Sequence, residues 1–267
     1  MDTLLDYYQY MRDETALDED INNIYYSNVL AKRFELNPGN SEFDNSDPSP
    51  PHLGRKPSLV RFNNIQNSAH GYGQKLTIRP AYYDALDADQ GHIENAELKM
   101  GEVTISRFGD NIFLQNLDLI SVESVQSSST GLPGDKAIAW KLKLGVEQQS
   151  IACTDCLMAN LNADIGYSTR LTDYAVLGSY IGFSAHDNRN GIGNFSVNAS
   201  LFANVRLLNN FKLRLEMGKA YNVDAKNTIE SKFKIETRYS IEKNRALRFG
   251  YTKHVSEEFS IALDMYF

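Results

Sequence analysis

The sequence predicts an all-β protein: an antiparallel up-and-down transmembrane β-barrel of about twelve strands, preceded by a short helical segment. Three observations carry this expectation. From Ser58 onward, strand-like segments alternate apolar and polar residues. Most reach about ten residues, against the five or six usual in soluble strands. Among the later strands, tight connections alternate with long ones, the habit of outer-membrane barrels. The sequence also closes on "EEFSIALDMYF", where Phe259, Ile261, Leu263, Met265 and Phe267 form a period-2 stripe ending in an aromatic residue.

Residues 1–36 read as a helical, periplasmic segment. Leu5, Tyr8, Ile21, Ile24, Tyr25, Val29 and Leu30 fall at helical spacings. The acids Asp18–Glu19–Asp20 suit the positive end of a second helix dipole. By itself this is a helical hairpin in want of a packing partner. Residues 37–57, "NPGNSEFDNSDPSPPHLGRKP", are rich in Pro, Asn, Ser and Asp and predict a linker.

Residues 58–267 supply the barrel. The strand candidates are "SLVRFNN", "QKLTIRPAYY", "AELKMGEVTISRF", "NIFLQNLDLISVESV", "AIAWKLKLGVE" and "LMANLNADIGYSTRL". They continue with "YAVLGSYIGFSAH", "FSVNASLFANVRL", "FKLRLEMGKAYNV", "ESKFKIETRYSIE", "ALRFGYTKH" and "EFSIALDMYF". The alternation is cleanest late in the chain. Phe211, Leu213, Leu215 and Met217 oppose Lys212, Arg214 and Glu216. Phe233, Ile235, Tyr239 and Ile241 oppose Lys232, Lys234, Glu236 and Arg238. Earlier, Ile138, Trp140, Leu142 and Leu144 oppose Lys141 and Lys143. A phase slip at Gly101–Glu102 predicts a bulge. Residues 112–125 and 174–183 show no clean phase.

Alternation gives two faces but does not say what each touches. In a soluble sheet the apolar face packs a core and the charged face meets water. In a membrane barrel the apolar face meets lipid and the charged face lines the interior. Strand length, loop asymmetry and the aromatic terminus favour the membrane; the soluble alternative is a large sandwich or an enclosed barrel. Lys141, Lys143, Lys212, Arg214, Glu216, Lys232, Lys234, Glu236 and Arg238 then point into the lumen. Their mixed signs predict ion pairs that fill it. No apolar run approaches the roughly 18 residues of a membrane helix. A net charge of −7 argues against nucleic acid as a partner.

Little in the sequence suggests catalysis. Cys153 and Cys156 in "ACTDC" have no second pair for a zinc ribbon and no βαβ surroundings for a redox site. They are a small loop disulfide or two free thiols, and a bridge implies an oxidising compartment. Ser184 and His186, two apart on one strand, are the one candidate for a barrel-borne lipid hydrolase. Such chemistry also needs an orienting group, and none is evident. His70, His92 and His254 lack metal-ligand spacing. No cofactor is expected.

The stretch from His52 to Gln149 resembles the C-terminal half of a bacterial envelope family, the Lnb N-terminal periplasmic domain-containing proteins. The resemblance rests on "PPHLGRKPSLVRF", "LTIRPAYYDALDADQGHIENAELKM", "LQNLDLISVESV" and "AIAWKLKLGVEQ", with "LLDYYQYM" and "SNVLAKRFEL" upstream. "RPAYYDALD" is its most distinctive part. Where the family has Gly-His after the Pro-rich stretch, this sequence has Gly54–Arg55. The resemblance implies a papain-like peptidase or amidase-type domain upstream of the barrel, and no residue here matches that domain's Cys and His. The acidic N-terminus "MDTLLDYYQYMRDE" is no signal peptide. Export therefore depends on upstream sequence, and a truncated chain, a misplaced start or a decayed gene is expected.

The resulting expectation is a non-catalytic bacterial outer-membrane barrel that anchors or partners a periplasmic hydrolase-like domain. Its partners would be outer-membrane lipid and the barrel-assembly machinery, which reads C-terminal stripes like that of residues 259–267. A channel for small polar solutes and a lipid hydrolase are the alternatives.

Overall fold

The computed structural model describes residues 2–14, 19–36, 54–125, 138–150, 153–187, 193–224 and 229–267. Most of the predicted linker, 37–53, and Asp18 of the predicted helix start lie outside the described residues. The chain divides into two compact units between residues 47 and 48.

The first unit is a helical hairpin. Helix α1 spans Asp2–Glu14 and α2 spans Glu19–Glu35. They meet through aromatic rings: Tyr8 of α1 stacks on Tyr25 of α2 with ring centroids 6.0 Å apart, and within α1 Tyr7 meets Tyr8 edge-on at 5.4 Å. Lys32 and Arg33 occupy the last turn of α2, where cations suit the negative dipole end.

The second unit is a closed antiparallel barrel. Its strands are β1 (Leu59–Asn67), β2 (Gly71–Arg79), β3 (Ala81–Tyr83), β4 (Ala96–Phe108), β5 (Asn111–Val125), β6 (Ile138–Gln148) and β7 (Leu157–Thr172). They continue as β8 (Ala175–His186), β9 (Phe195–Leu208), β10 (Phe211–Asn222), β11 (Ile229–Glu242), β12 (Arg245–Lys253) and β13 (Glu257–Tyr266). Each pairs with its neighbours in sequence order, except that β2 and β3 both pair with β4 and not with each other, and β1 pairs with β13 from Leu59↔Tyr266 to Asn67↔Glu258. Ser58 and Phe267 add two backbone hydrogen bonds across the seam, at 3.3 and 3.0 Å. Closure leaves no edge strand. The thirteen segments make twelve staves, because β2 and β3 are one stave broken at Pro80. Proline has no N–H to give the ladder. Its carbonyl instead accepts the Ser58 hydroxyl at 2.7 Å.

The loop alternation read in the later strands has a counterpart reversed in the earlier ones. At the rim that holds Ser58 and Phe267, two-residue turns at 173–174, 209–210 and 243–244 join the later strands. The same rim carries two long early connections, 84–95 and 126–137, the second outside the described residues. At the far rim the early turns are short: 68–70, and Gly109–Asp110 with Gly109 at φ +57°.

The phase slip is present, but the register shift of β4 against β5 lies a little farther on, between Thr104 and Ile105. Gly101 has φ +67°, and the alternation slips there: Lys99 faces the interior, and so does Glu102 three residues on. Beside it on β5, the register with β6 shifts between Asp118 and Ile120. That second slip is why residues 112–125 have no clean phase. In β8 the cause differs: the inward positions include the apolar Val176 and Tyr180, which join Val125, Ala139 and Phe202 in a buried cluster inside the barrel.

The two faces divide sharply. Large apolar side chains stand exposed on the outer wall, among them Phe62, Trp140, Ile165, Ile181, Phe183, Leu201, Met217 and Phe249. The buried side chains of the unit include Arg79, Arg238, Glu123, Asp87 and Asp264. A soluble protein inverts this pattern. Apolar outside and charged inside is the arrangement of a membrane-spanning barrel.

Candidate functional site

The site is the bore, and its dominant feature is a segment that folds into it. "RPAYYDALD" begins on β2 and ends inside the barrel. Past Tyr83 the chain leaves the wall, and residues 84–95 pass within the terminal rim before joining β4 at Ala96. Local bonds shape the entry. Asp84 accepts from the Leu86 amide at 3.0 Å, the Asp87 amide bonds the Asp84 carbonyl at 2.9 Å, and the Asp84 amide bonds the Asp87 carboxylate at 2.7 Å. Gly91 (φ +85°) and Asn95 (φ 55°) supply the left-handed turns that bring the segment back.

Arginines from several staves hold the first half of this segment. Arg79 reaches Asp84 at 3.2 Å and Asp87 at 3.0 Å. Arg248 of β12 reaches Asp84 at 2.7 Å and Asp264 at 3.3 Å, and Arg61 of β1 reaches Asp264 at 2.6 Å. Arg238 of β11 lies 3.6 Å from Asp87, and Tyr266 donates to the same carboxylate at 2.5 Å. Arg55, upstream of β1, pairs with Asp87 and lies 4.4 Å over the Tyr266 ring. The second half is held by other staves. Lys212 of β10 pairs with Asp89 and donates to the Asp87 carbonyl at 2.6 Å. Arg206 of β9 meets Glu94 at 2.8 Å, and Arg170 of β7 meets it at 3.2 Å. The segment is thus tied to both sides of the bore, and a cavity of about 20 Å³, room for one water, lies beside it.

Burial raises both carboxyl groups of the segment, and for Asp87 so does its neighbour Asp84. Arg248, Arg79 and Arg61 outweigh this at Asp84, and Arg55, Arg79 and Arg238 at Asp87. Both stay ionised well below the usual carboxylate range.

A second layer lies farther into the barrel. Glu123 accepts from Tyr180 at 2.8 Å and from Arg214 at 2.7 Å. Tyr180 stacks on Phe202 at 4.9 Å, and the Arg214 guanidinium lies 5.7 Å over the same ring. Glu123→Gln keeps the shape and removes the charge. It is expected to cost about 1.5–3 kcal/mol, the range for hydrogen bonds to charged groups, read as a lower urea midpoint.

Beyond it the remaining lysines and acids of the lumen pair. Lys141 meets Glu216 at 3.6 Å, Lys143 meets Glu147 at 2.6 Å and Asp118 at 3.3 Å, and Lys234 meets Glu236 at 2.8 Å. Lys232 forms no ion pair among the described residues. Phe259, Ile261, Leu263, Met265 and Phe267 line the outer wall beside β1, with Phe259 55% and Phe267 59% exposed.

Ser184 lies inside the bore, not on the outer surface. It bonds Asn162 and accepts from the Asn198 amide at 2.5 Å. No hydrogen bond joins it to His186 among the described residues, and His186 Nδ1 is buried without a partner. The candidate nucleophile therefore has an amide where a base is needed. Cys153 and Cys156 are bridged, in the connection between β6 and β7. Among the described residues no group of three or more His, Cys, Asp or Glu could hold a metal ion.

The arginine ties of the segment escaped the sequence reading, because "YDALDADQGHIENAE" reads as an acidic connection. One signal was present: this connection lies between strands where the later half of the barrel has two-residue turns.

Several solved barrels resemble the chain in shape. The NanC porin matches with a TM-score of 0.49 at 6% identity, covering 78% of this chain and 100% of its own. The COG4313 outer membrane channel of Pseudomonas putida F1 matches with 0.47 at 11%, covering 85% and 100%. The KdgM porin, solved in complex with disordered oligogalacturonate, matches with 0.45 at 8%, covering 78% and 99%. None of the curated proteins matches the sequence. Over residues 48–266 the sequence matches the model of a domain of unknown function, DUF7840, and the chain belongs to that family.

Proposed function

We propose that this protein is a non-catalytic outer-membrane barrel with a closed bore, serving to anchor a periplasmic hydrolase-like domain. One observation carries the reading: residues 84–95 lie across the bore and are ion-paired to β7, β9 and β10 on one side and to β2, β11 and β12 on the other. A diffusion pore needs that space empty. The terminal rim, with its three two-residue turns, faces the periplasm in this reading. The upstream partner rests on the family resemblance of residues 52–149.

The second reading is a gated channel for small polar solutes. It is favoured by the half of the lumen beyond the Glu123 layer, where the Lys141 and Lys143 side chains keep 23% and 21% of their surface open to water. Planar-bilayer recording separates the two. The expected result for the intact protein is a silent bilayer. Steady, stepwise conductance at neutral pH would replace the anchor reading with the channel.

A further inference from the structure

The outer wall carries a polar island. Asn64 of β1, Gln74 of β2 and Arg107 of β4 are successive partners in one cross-strand row, and all three point outward. Gln66 and Tyr72 pair in the next row toward the far rim. Apolar side chains border the island. Ile261 continues the row on β13 and Ile112 continues it on β5, both exposed. Asn64, Tyr72, Gln74, Arg107 and Gly109 line a groove of about 280 Å³ at this point.

Arg107 has an unspent charge. Its Nε donates to the Gly109 carbonyl at 3.0 Å, which fixes the orientation of the guanidinium. Among the described residues no carboxylate pairs with it. The amides of Asn64 and Gln74 add neutral donors to the same groove.

We infer that this groove binds the phosphate of a lipid headgroup at the far rim of the barrel. The inference rests on the membrane reading of the outer wall. A guanidinium with amide donors beside it matches phosphate in charge and in donor geometry. The position also fits: β2 and β4 end within a few residues of the groove, at Gly71 and Phe108, where a barrel meets headgroups and not hydrocarbon. Phe62, Ile105 and Leu263, in the next outward row toward the middle of the barrel, offer apolar surface for the acyl chains below the phosphate.

The test is lipid retention by the full chain in detergent micelles, read by native mass spectrometry. The probes are diphosphoryl lipid A, its dephosphorylated form, and inorganic phosphate. Wild-type protein is expected to retain the diphosphoryl lipid over the dephosphorylated one. Arg107→Ala is expected to lose roughly tenfold or more of that retention, the weight of one charge-assisted hydrogen bond, and Arg107→Lys to recover part of it. Equal retention by Arg107→Ala overturns the site. Binding of inorganic phosphate alone as tightly as lipid A overturns the lipid assignment. A chain that remains soluble and monomeric without detergent refutes the membrane reading itself, and that result is distinct from the other two.

Discussion

Replacing Asp87 with alanine is expected to make a silent barrel conduct, and to lower its stability by about 3–5 kcal/mol. Asp87 is fully buried. Its carboxylate takes Arg55, Arg79 at 3.0 Å, the Tyr266 hydroxyl at 2.5 Å and the Asp84 amide at 2.7 Å, with Arg238 at 3.6 Å. Truncation leaves three guanidinium groups facing one another without this counterion. Removing one member of a buried pair costs far more than the pair itself contributes, because the remaining charge stays desolvated. The wall does not depend on this carboxylate, since its ladders are backbone bonds from β1 round to β13. The loss should therefore fall on the segment at 84–95, whose first half then keeps the Asp84 pairs with Arg79 and Arg248 but not those of Asp87, and can shift in the bore. Two measurements check this: single-channel recording and the urea midpoint. Asp87→Asn should fall between wild type and alanine, because the amide still accepts from Tyr266. A silent alanine variant with an unmoved midpoint would show that the segment is held by something else.

The same ion pairs set the pH response. Asp84 and Asp87 have folded-state pKa values below their unfolded ones. A depressed carboxylate contributes stability above its unfolded pKa of about 3.9 and loses it as pH falls through the folded value. Closure is therefore expected to hold unchanged from pH 7 down to about pH 4 and to weaken only below that. Conductance that rises already above about pH 4 would point to a histidine instead; His92, in the same segment, stacks on Tyr83 at 4.4 Å, is held below the usual imidazole range by burial and is the candidate.

The walls of this protein were legible in its sequence, and the contents were not. Period-2 alternation was clearest in the late strands Phe211–Asn222 and Ile229–Glu242, because most outward positions on a lipid-facing wall are apolar whatever lies inside. The slip at Gly101 was visible for the same reason. Its partner at Leu119–Ile120 was hidden, since apolar residues on both sides of the slip blur the phase. The interior obeys a different logic. Lys212 finds Asp87 and Asp89 across more than a hundred residues of chain, and nothing local encodes that meeting. Charge alternation said that the lumen was ionic. It did not say that two of its partners, Asp84 and Asp87, would come from a connection. "RPAYYDALD" stood out as a motif, yet its Arg and two Asp became a unit only when the fold brought Arg55, Arg238 and Arg248 to them.

The second large effect concerns what the outer wall touches. Ile181 lies near the middle of β8, is 64% exposed, and sits between Ile165 and Ala199 in the cross-strand row. On a wall facing water, Ile181→Arg should change stability by no more than about 0.5 kcal/mol. On a wall facing hydrocarbon it should cost about 2–4 kcal/mol, because the guanidinium has no partner at the bilayer midplane. Leu208→Arg is the matched control. Leu208 is as exposed as Ile181 but ends β9 at the terminal rim, where the cost in lipid falls to about 0–1 kcal/mol. The two readings thus differ in the contrast between positions as well as in size. Folding into lipid vesicles, followed by urea titration, gives both values. A large penalty at 181 with a small one at 208 requires a medium whose polarity changes along the strand, and only a bilayer supplies that. Equal, small penalties would mean that water reaches the whole wall, and the exposed isoleucines and phenylalanines would then need a protein partner to cover them.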